Sequence, residues 1–286
     1  MRRPALSIYT LAYCLIAIVG IQDRLEAAST HQAKAEPELS DVDQIMLNVE
    51  NRDNGDDMVY TFVMTLIDRH GSRRQRKVKS FFKDFGEDRH GIIFFIEPAT
   101  LHKTAFLTFD YDDSQKEDDQ WIYLPAMKKT SRIGSADKTA SFVGSDITFA
   151  DLTDRKAADY HHRMVKPNAV LRGHDTWMIE QIPKDQREID KFGYIKALHF
   201  VEKKSYFVIR SIFWMKDNRR LKYYDMYEFK KIDGIWTELS FSFTTTSIDG
   251  HVIHRTEGRM QDITYDQGLD PSLFTVSQLE AGMPPQ

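Results

Sequence analysis

Trp121-Ile122-Tyr123-Leu124-Pro125-Ala126-Met127-Lys128-Lys129-Thr130-Ser131-Arg132-Ile133-Gly134 continues through Ser135-Ala136-Asp137-Lys138 and closes on Ser141-Phe142-Val143-Gly144-Ser145-Asp146-Ile147-Thr148-Phe149-Ala150-Asp151-Leu152. A short aromatic strand stops at Pro125, whose missing N–H suits a strand end. A basic cluster follows, then a glycine-containing turn, then a second aromatic segment that ends in carboxylates. No nucleophile stands beside a base. Large apolar rings next to a cationic rim suit a place that holds something greasy with a polar end.

Upstream, Ser40 is placed to cap a helix from about Asp41, with Asp41 and Asp43 in its first turn and Ile45, Met46 and Val49 on one face. From Met58 the period changes to two: Tyr60, Phe62, Met64 and Leu66 share one face. Asp68-Arg69-His70-Gly71 reads as a hairpin turn. A strand carrying Arg73, Arg74, Arg76, Lys77 and Lys79 follows, and then Gly91 to Ile96, a more deeply buried strand. Ala105 to Tyr111 is a further strand before an acidic turn leads back into Trp121. Downstream, Asp154 to Val165 is charged and irregular, either a helix or a covering segment. Strands then return over 177–182, 194–201, 206–215, 221–232, 235–246 and 251–264. Pro183-Lys184-Asp185, Asp217-Asn218, Asp233-Gly234 and Asp249-Gly250 separate them, the last two being favoured hairpin dipeptides. The sum is ten or eleven antiparallel strands in mostly sequential order, a sheet large enough that it has to curl, split or close.

The chain has 286 residues, 41% hydrophobic and 12% aromatic, with a formal charge of -4. Met1-Arg2-Arg3-Pro4 is a positive n-region, and Ala5 to Gly20 is apolar apart from Ser7, Tyr9, Thr10 and Tyr13. That is the layout of a secretory signal peptide over 1–28, its greasy run being short for the ~20 residues of a membrane span. A tether over 29–40 and one domain over 41–286 are expected to follow. Without the signal the acidic balance increases, which argues against nucleic-acid binding. Cys14, the only cysteine, lies in the signal, so a thiol nucleophile or cysteine-held metal is not expected. The histidines are scattered, and neither a zinc-binding helix motif nor a glycine-rich phosphate loop occurs. No metal and no cofactor are expected.

The string W-I-Y-L-P-A, then K-K and R-I, then S-F-V-G-S-D-I-T-F-A-D-L resembles the signature of the LolA-like outer-membrane lipoprotein-sorting proteins. Weaker agreement extends from about Asp43 to Glu280 and takes in Glu97-Pro98-Ala99-Thr100-Leu101-His102-Lys103-Thr104-Ala105-Phe106-Leu107 and Leu269-Asp270-Pro271-Ser272-Leu273-Phe274-Thr275. The resemblance implies a mainly β fold: a curved antiparallel sheet forming an incomplete β-barrel, covered by a few helices and loops, over an apolar cavity. It also implies a periplasmic carrier that binds lipid or lipoprotein acyl chains and passes them towards the outer membrane. Its partners would be an inner-membrane transporter of ABC or RND type and an outer-membrane acceptor. The rival expectation is a periplasmic sensor or accessory protein of an RND-type exporter.

Phe62, Phe94, Phe106, Trp121, Tyr123, Phe142, Phe149, Phe213 and Phe241 are the candidate cavity lining. The competing reading of each ring is a filled core, and composition does not separate the two. Lys128, Lys129, Arg132 and Lys138 are candidates for the cavity mouth or a partner contact, against the reading of a solvated loop. The basic strand from Arg73 to Lys79 reads as a charged sheet edge that blocks aggregation, with a partner-docking edge as the second reading. Gly144, Ser145, Asp146 and Asp151 are expected to hold the conformation of a covering loop. A hydrolase would need the Gly-x-Ser-x-Gly elbow, but residue 147 is isoleucine, and the protein is not expected to be an enzyme.

Overall fold

The computed structural model describes residues 40–284; the expected signal peptide, Cys14 and the tether up to Leu39 lie outside the described residues. Helix α1 (Asp41–Glu50) leads into β1 (Asp57–Asp68), β2 (Arg73–Phe85), β3 (Asp88–Glu97), β4 (Ala105–Asp110), β5 (Asp119–Leu124) and β6 (Lys129–Arg132). After residues 133–159 come β7 (Tyr160–Leu171), β8 (His174–Pro183), α2 (Gln186–Phe192), β9 (Tyr194–Glu202) and β10 (Val208–Met215). Then follow β11 (Arg220–Ile232), β12 (Ile235–Ser247), β13 (Val252–Tyr265) and α3 (Val276–Ala281).

All thirteen strands form one sheet, in the order β6-β5-β4-β3-β2-β1-β13-β12-β11-β10-β9-β8-β7, and it does not close into a barrel. Two sequential meanders are joined at the middle, where β1 pairs antiparallel with β13 from Met58↔Tyr265 to Asp68↔His254. The unpaired edges are therefore β6 and β7, which are consecutive in the chain. Residues 133–159 have to run from one free edge to the other, and this topology lays the signature segment across one face.

That inner face is built by period-two alternation. Phe62, Met64 and Leu66 of β1, Ile93 and Phe95 of β3 and Phe106 of β4 pack against Phe142, Ile147 and Phe149 of the crossing segment. Phe81 of β2, Ile92 and Phe94 of β3 and Leu107 of β4, at the alternate positions, pack on the outer face beneath Leu273, Phe274 and Leu279 at the C-terminal end. β3 is thus covered on both sides, which is why its sequence is a continuous apolar run. Over the other half of the inner face lies α1. Ser40 caps it by accepting the Asp43 N–H at 3.2 Å, and it buries Met46 against Ile179 and Val201.

The structure departs from the sequence-based expectation at four places. Only the first half of the segment read as irregular, to Asp159, lies outside a strand; from Tyr160 it is the edge strand β7, whose charged residues face solvent along an exposed rim. The turn at 183–185 opens a further helix, with Asp185 accepting the Glu188 N–H as its cap. The C-terminal end forms α3, capped by Thr275. The basic strand β2 is not a sheet edge: β1 pairs along it from Arg73 and β3 from Lys77 onward, so only its first residues have a free side.

A methyl group at Gly258 on β13 would stand 2.7 Å from both the Phe241 and Phe62 rings, which stack with centroids 5.5 Å apart. Gly258→Ala is expected to destabilise the fold by about 1–3 kcal/mol through overpacking. Urea unfolding should show a lower midpoint at unchanged slope.

Candidate functional site

The crossing segment is a roof whose shape is set by local backbone chemistry. Val143 at φ +50° and Gly144 at φ +81° reverse the chain; the left-handed region is unusual for a β-branched residue. The reversal lets the Phe142 N–H donate to the Ile147 carbonyl at 2.7 Å and bridges Ser141 to Thr148. Phe142 and Phe149 then point the same way. Phe142 lies 5.8 Å from Phe95, 5.3 Å from Phe106 and 5.7 Å from Phe149, centroid to centroid. Ser145 Oγ donates to the Phe142 carbonyl at 2.7 Å, so its hydroxyl is committed to the turn.

Two carboxylates tie this roof to the sheet. Asp146 accepts from Thr245 Oγ1 at 2.6 Å and Thr256 Oγ1 at 2.8 Å, with His254 Nδ1 at 2.6 Å, so it is held by β12 and β13. Asp151 accepts from the Thr148 N–H and hydroxyl at 2.9 Å each, from Tyr194 OH at 2.9 Å and from Arg155 Nη2 at 2.8 Å. It also forms an ion pair with Lys222 of β11, the two side chains being only 4% and 2% exposed. Burial alone would raise the Asp151 pKa; the Lys222 ammonium and the Arg155 guanidinium outweigh it and hold the carboxyl well below the usual range. The same pairing raises the Lys222 pKa against its burial. Lys138 adds a third tie: it is buried and donates to the Asp118 carbonyl at 2.8 Å.

Beneath the roof is a chamber of about 400 Å³ lined by Tyr60, Phe62, Phe82, Phe142, Phe241 and Phe243 among others. Arg89, Glu238 and Asp151 are its charged members. A neighbouring cavity of about 310 Å³ lies under α1 and shares Asp151, Tyr224 and Phe243 with the first. A smaller void of about 120 Å³ shares Phe82, Arg89 and Leu152 with the chamber. Asp151 and Leu152 therefore stand where the spaces adjoin. Burial pushes the Glu238 carboxyl up to about 7, against the hydrogen bond from Tyr224 OH and the nearby Arg52. His199, in the second cavity, is held neutral by burial, its pKa down to about 3, with Ser211 Oγ 2.8 Å from Nδ1.

The structure divides the residues singled out in the sequence. Phe62, Phe106, Phe142, Phe149 and Phe241 come together on the inner face. Phe94, Trp121 and Tyr123 lie on the outer face beneath the C-terminal end, because they have the other strand parity. Phe213 packs with Phe192 and Tyr194 and lines the second cavity. Lys128 and Lys129 are exposed, while Arg132 is paired through Nε with Asp119 at 2.9 Å. None of the four basic residues lines the three adjoining spaces. The sequence does not single out Tyr224, Arg52 or Lys222, and Phe243 and Glu238 read in it only as the dry and wet faces of one strand, whereas both line the chamber. Phe243 and Glu238 sit in an alternating strand that hinted at them; Lys222 reads as any solvated strand lysine.

An open antiparallel sheet of this size, covered on its inner face, is a LolA-like fold. A DUF1329 family protein from Desulfovibrio piger is 26% identical, covering 83% of this chain and 97% of that one, with a TM-score of 0.75. A domain named for outer membrane lipoprotein sorting from Vibrio parahaemolyticus is also 26% identical, with the same coverage and a TM-score of 0.73. A LolA superfamily protein from Nitrosomonas europaea, 18% identical over 83% of this chain and 98% of its own, has the same fold at a TM-score of 0.61. The family model that matches residues 87–281 is described as that of an uncharacterized protein. The match spans more than half of the chain, which belongs to this family. No curated protein matches the chain.

Lys222→Met leaves the buried Asp151 without its nearest cation, and a loss of roughly 3–5 kcal/mol in unfolding free energy is expected; a loss below 1 kcal/mol would show that Arg155 and Tyr194 suffice. Glu238 has a folded pKa raised from 4.5 to about 7. Its contribution is thus fully present below pH 4.5 and is lost as pH rises through about 7. Glu238→Gln should remove that decline, so that the variant gains on the wild type between these two values in a pH series of denaturant melts.

Proposed function

We propose that the protein is a periplasmic, non-enzymatic carrier that shelters the acyl chains of a lipid or lipoprotein and moves them towards the outer membrane. The observation that carries the reading is the aromatic chamber of about 400 Å³ with a roof made by the crossing segment. Its walls are mostly rings and aliphatic side chains, with Arg89, Asp151 and Glu238 as the charged exceptions. Each methylene of a guest buried against the apolar part contributes about 0.8 kcal/mol. The name of the Vibrio relative, which refers to lipoprotein sorting, and the secretory layout of residues 1–28 support the same reading.

Entry and release need the roof to part from the sheet. Phe142 and Phe149 sit on it as wedges, while Asp146 and Asp151 fasten it at both ends. The guest's chain would replace contacts that Phe142 makes with Phe95 and Phe106, so uptake exchanges one set of apolar contacts for another. That near balance is what a carrier requires, since a guest bound by the full burial energy would not leave. A non-enzymatic role is supported by Ser145 and His254: the hydroxyl is spent on a carbonyl, and the imidazole faces Asp146. An inner-membrane transporter and an outer-membrane acceptor are the partners that such a cargo route calls for.

Native mass spectrometry of the protein from the periplasm is expected to show an adduct with the mass of a lipid or acylated peptide. Phe142→Asp should abolish it. Leu152→Asp, at a half-buried wall position, tests the same chamber with less strain on the core and should lower occupancy at least about tenfold. A wild-type protein free of any adduct, or variants that keep it, would end the carrier reading.

A further inference from the structure

Three hairpin tips lie side by side at one end of the sheet, because β2, β1, β13, β12, β11 and β10 are successive neighbours. One tip joins β1 to β2, the next joins β12 to β13, and the third joins β10 to β11. Asp68 pairs with His254 between the first two, and the Ile248 N–H donates to the Arg219 carbonyl at 2.7 Å between the second and third. The tips therefore form one surface.

The middle tip carries Ile248, Val252 and Ile253, which are 54%, 49% and 41% exposed. Single exposed aliphatic residues are ordinary, and Val170, at 70%, is one. Here three lie within six residues at one tip, Val252 and Ile253 on opposite faces of β13, around a turn whose Asp249 is also exposed. Cations flank it on both sides. Residues 69–76 hold four arginines and no carboxylate, and the third tip adds Arg219 and Arg220. Arg73 reaches Glu257 at 3.5 Å in an exposed pair and Arg220 reaches Asp217 at 2.6 Å, whereas Arg69, Arg74 and Arg219 have no carboxylate partner among the described residues.

We propose that these tips dock the protein on an anionic lipid membrane. Ile248, Val252 and Ile253 enter the boundary between headgroups and acyl chains, while Arg69, Arg73, Arg74 and Arg219 meet the phosphates. The patch is a set of narrow turns with paired strands behind them, apart from the first residues of β2, whose open side carries Arg73, Arg74 and Arg76. A plane of negative charge over hydrocarbon is the surface such a patch fits. The inference stands apart from what fills the chamber, since no tip residue lines it.

The test is vesicle flotation of a chain starting at residue 29, which leaves out the apolar run of residues 5–20. Vesicles of phosphatidylglycerol and phosphatidylcholine are compared with phosphatidylcholine alone at physiological salt. Binding to the anionic vesicles is expected to be at least about tenfold tighter and to weaken as salt rises. The triple change Ile248→Ser, Val252→Ser, Ile253→Ser should lower it about tenfold. Arg69→Ser with Arg74→Ser and Arg219→Ser should do the same and remove most of the salt dependence, whereas Val170→Ser should change nothing. If a triple variant melts early, Ile248→Ser and Arg74→Ser are read singly, each with about a threefold loss. No binding by the wild type, equal binding to both vesicles, or variants that bind like wild type would overturn the proposal. Uptake of a fluorescent acyl probe is followed in parallel. Vesicle binding without probe uptake would sink the carrier reading alone, and uptake without vesicle binding would sink this one alone.

Discussion

The buried ion pair between Asp151 and Lys222 is the constraint on which the rest of the structure depends. A lysine on an inner-facing strand position and an aspartate on a loop are each costly to bury alone. Together, with Tyr194, Arg155 and the Thr148 N–H completing the set, they fix one point of the crossing segment on the sheet. An ionic tie of this kind adds little net stability compared with an apolar core, but breaking it is severe. It thus favours one placement of the roof over many similar greasy ones. That placement decides where Leu152 and the rings of Phe142 and Phe149 come to rest, and so what space remains beneath them.

The space is left open because the sheet is large and unclosed. Thirteen strands in two meanders meet at β1 and β13, and the two free edges are bridged by the chain itself. On the outer face the C-terminal residues Leu273, Phe274 and Leu279 fill the area over Phe81 and Phe94. On the inner face the roof and α1 cover the sheet without filling it, and adjoining cavities of about 400 and 310 Å³ persist. Their walls differ: the first is chiefly aromatic, while the second brings in Arg52, His199 and Arg155. A guest with a hydrocarbon part and a polar part would find both kinds of wall within reach.

The two proposals use opposite properties of the same sheet. Sheltering hydrocarbon uses the apolar inner face, and membrane docking uses the polar end, where short turns expose what strands bury. Asp146 lies near both, holding the roof through His254, next to Ile253 in the chain. Roof and docking end are therefore mechanically continuous, through backbone and two threonine hydroxyls on β12 and β13.

Most of the architecture was legible in the chain itself. Period-two alternation fixed which residues of β1 share a face, Asp-Gly dipeptides marked two hairpins, and Ser40 with Asp41 and Asp43 located α1, because each of these is a short-range rule. The charged run to Val165 was harder: an edge strand has one solvated rim and loses the pattern that reveals strands. The candidate lining was readable as a set of rings but not as a site. Strand parity put Phe94, Trp121 and Tyr123 on the outer face and Phe62, Phe106 and Phe241 on the inner, and which parity is the inner one depends on where the roof lies. Lys138 and Lys222 looked like surface cations, since a lysine side chain carries no local sign of the carboxylate or carbonyl that will bury it. Local composition determined the strands, the turns and the greasy, ring-rich character of the protein. The pairing of distant residues decided which rings face a cavity and which charges hold its roof, because those energies exist only between groups far apart in the chain.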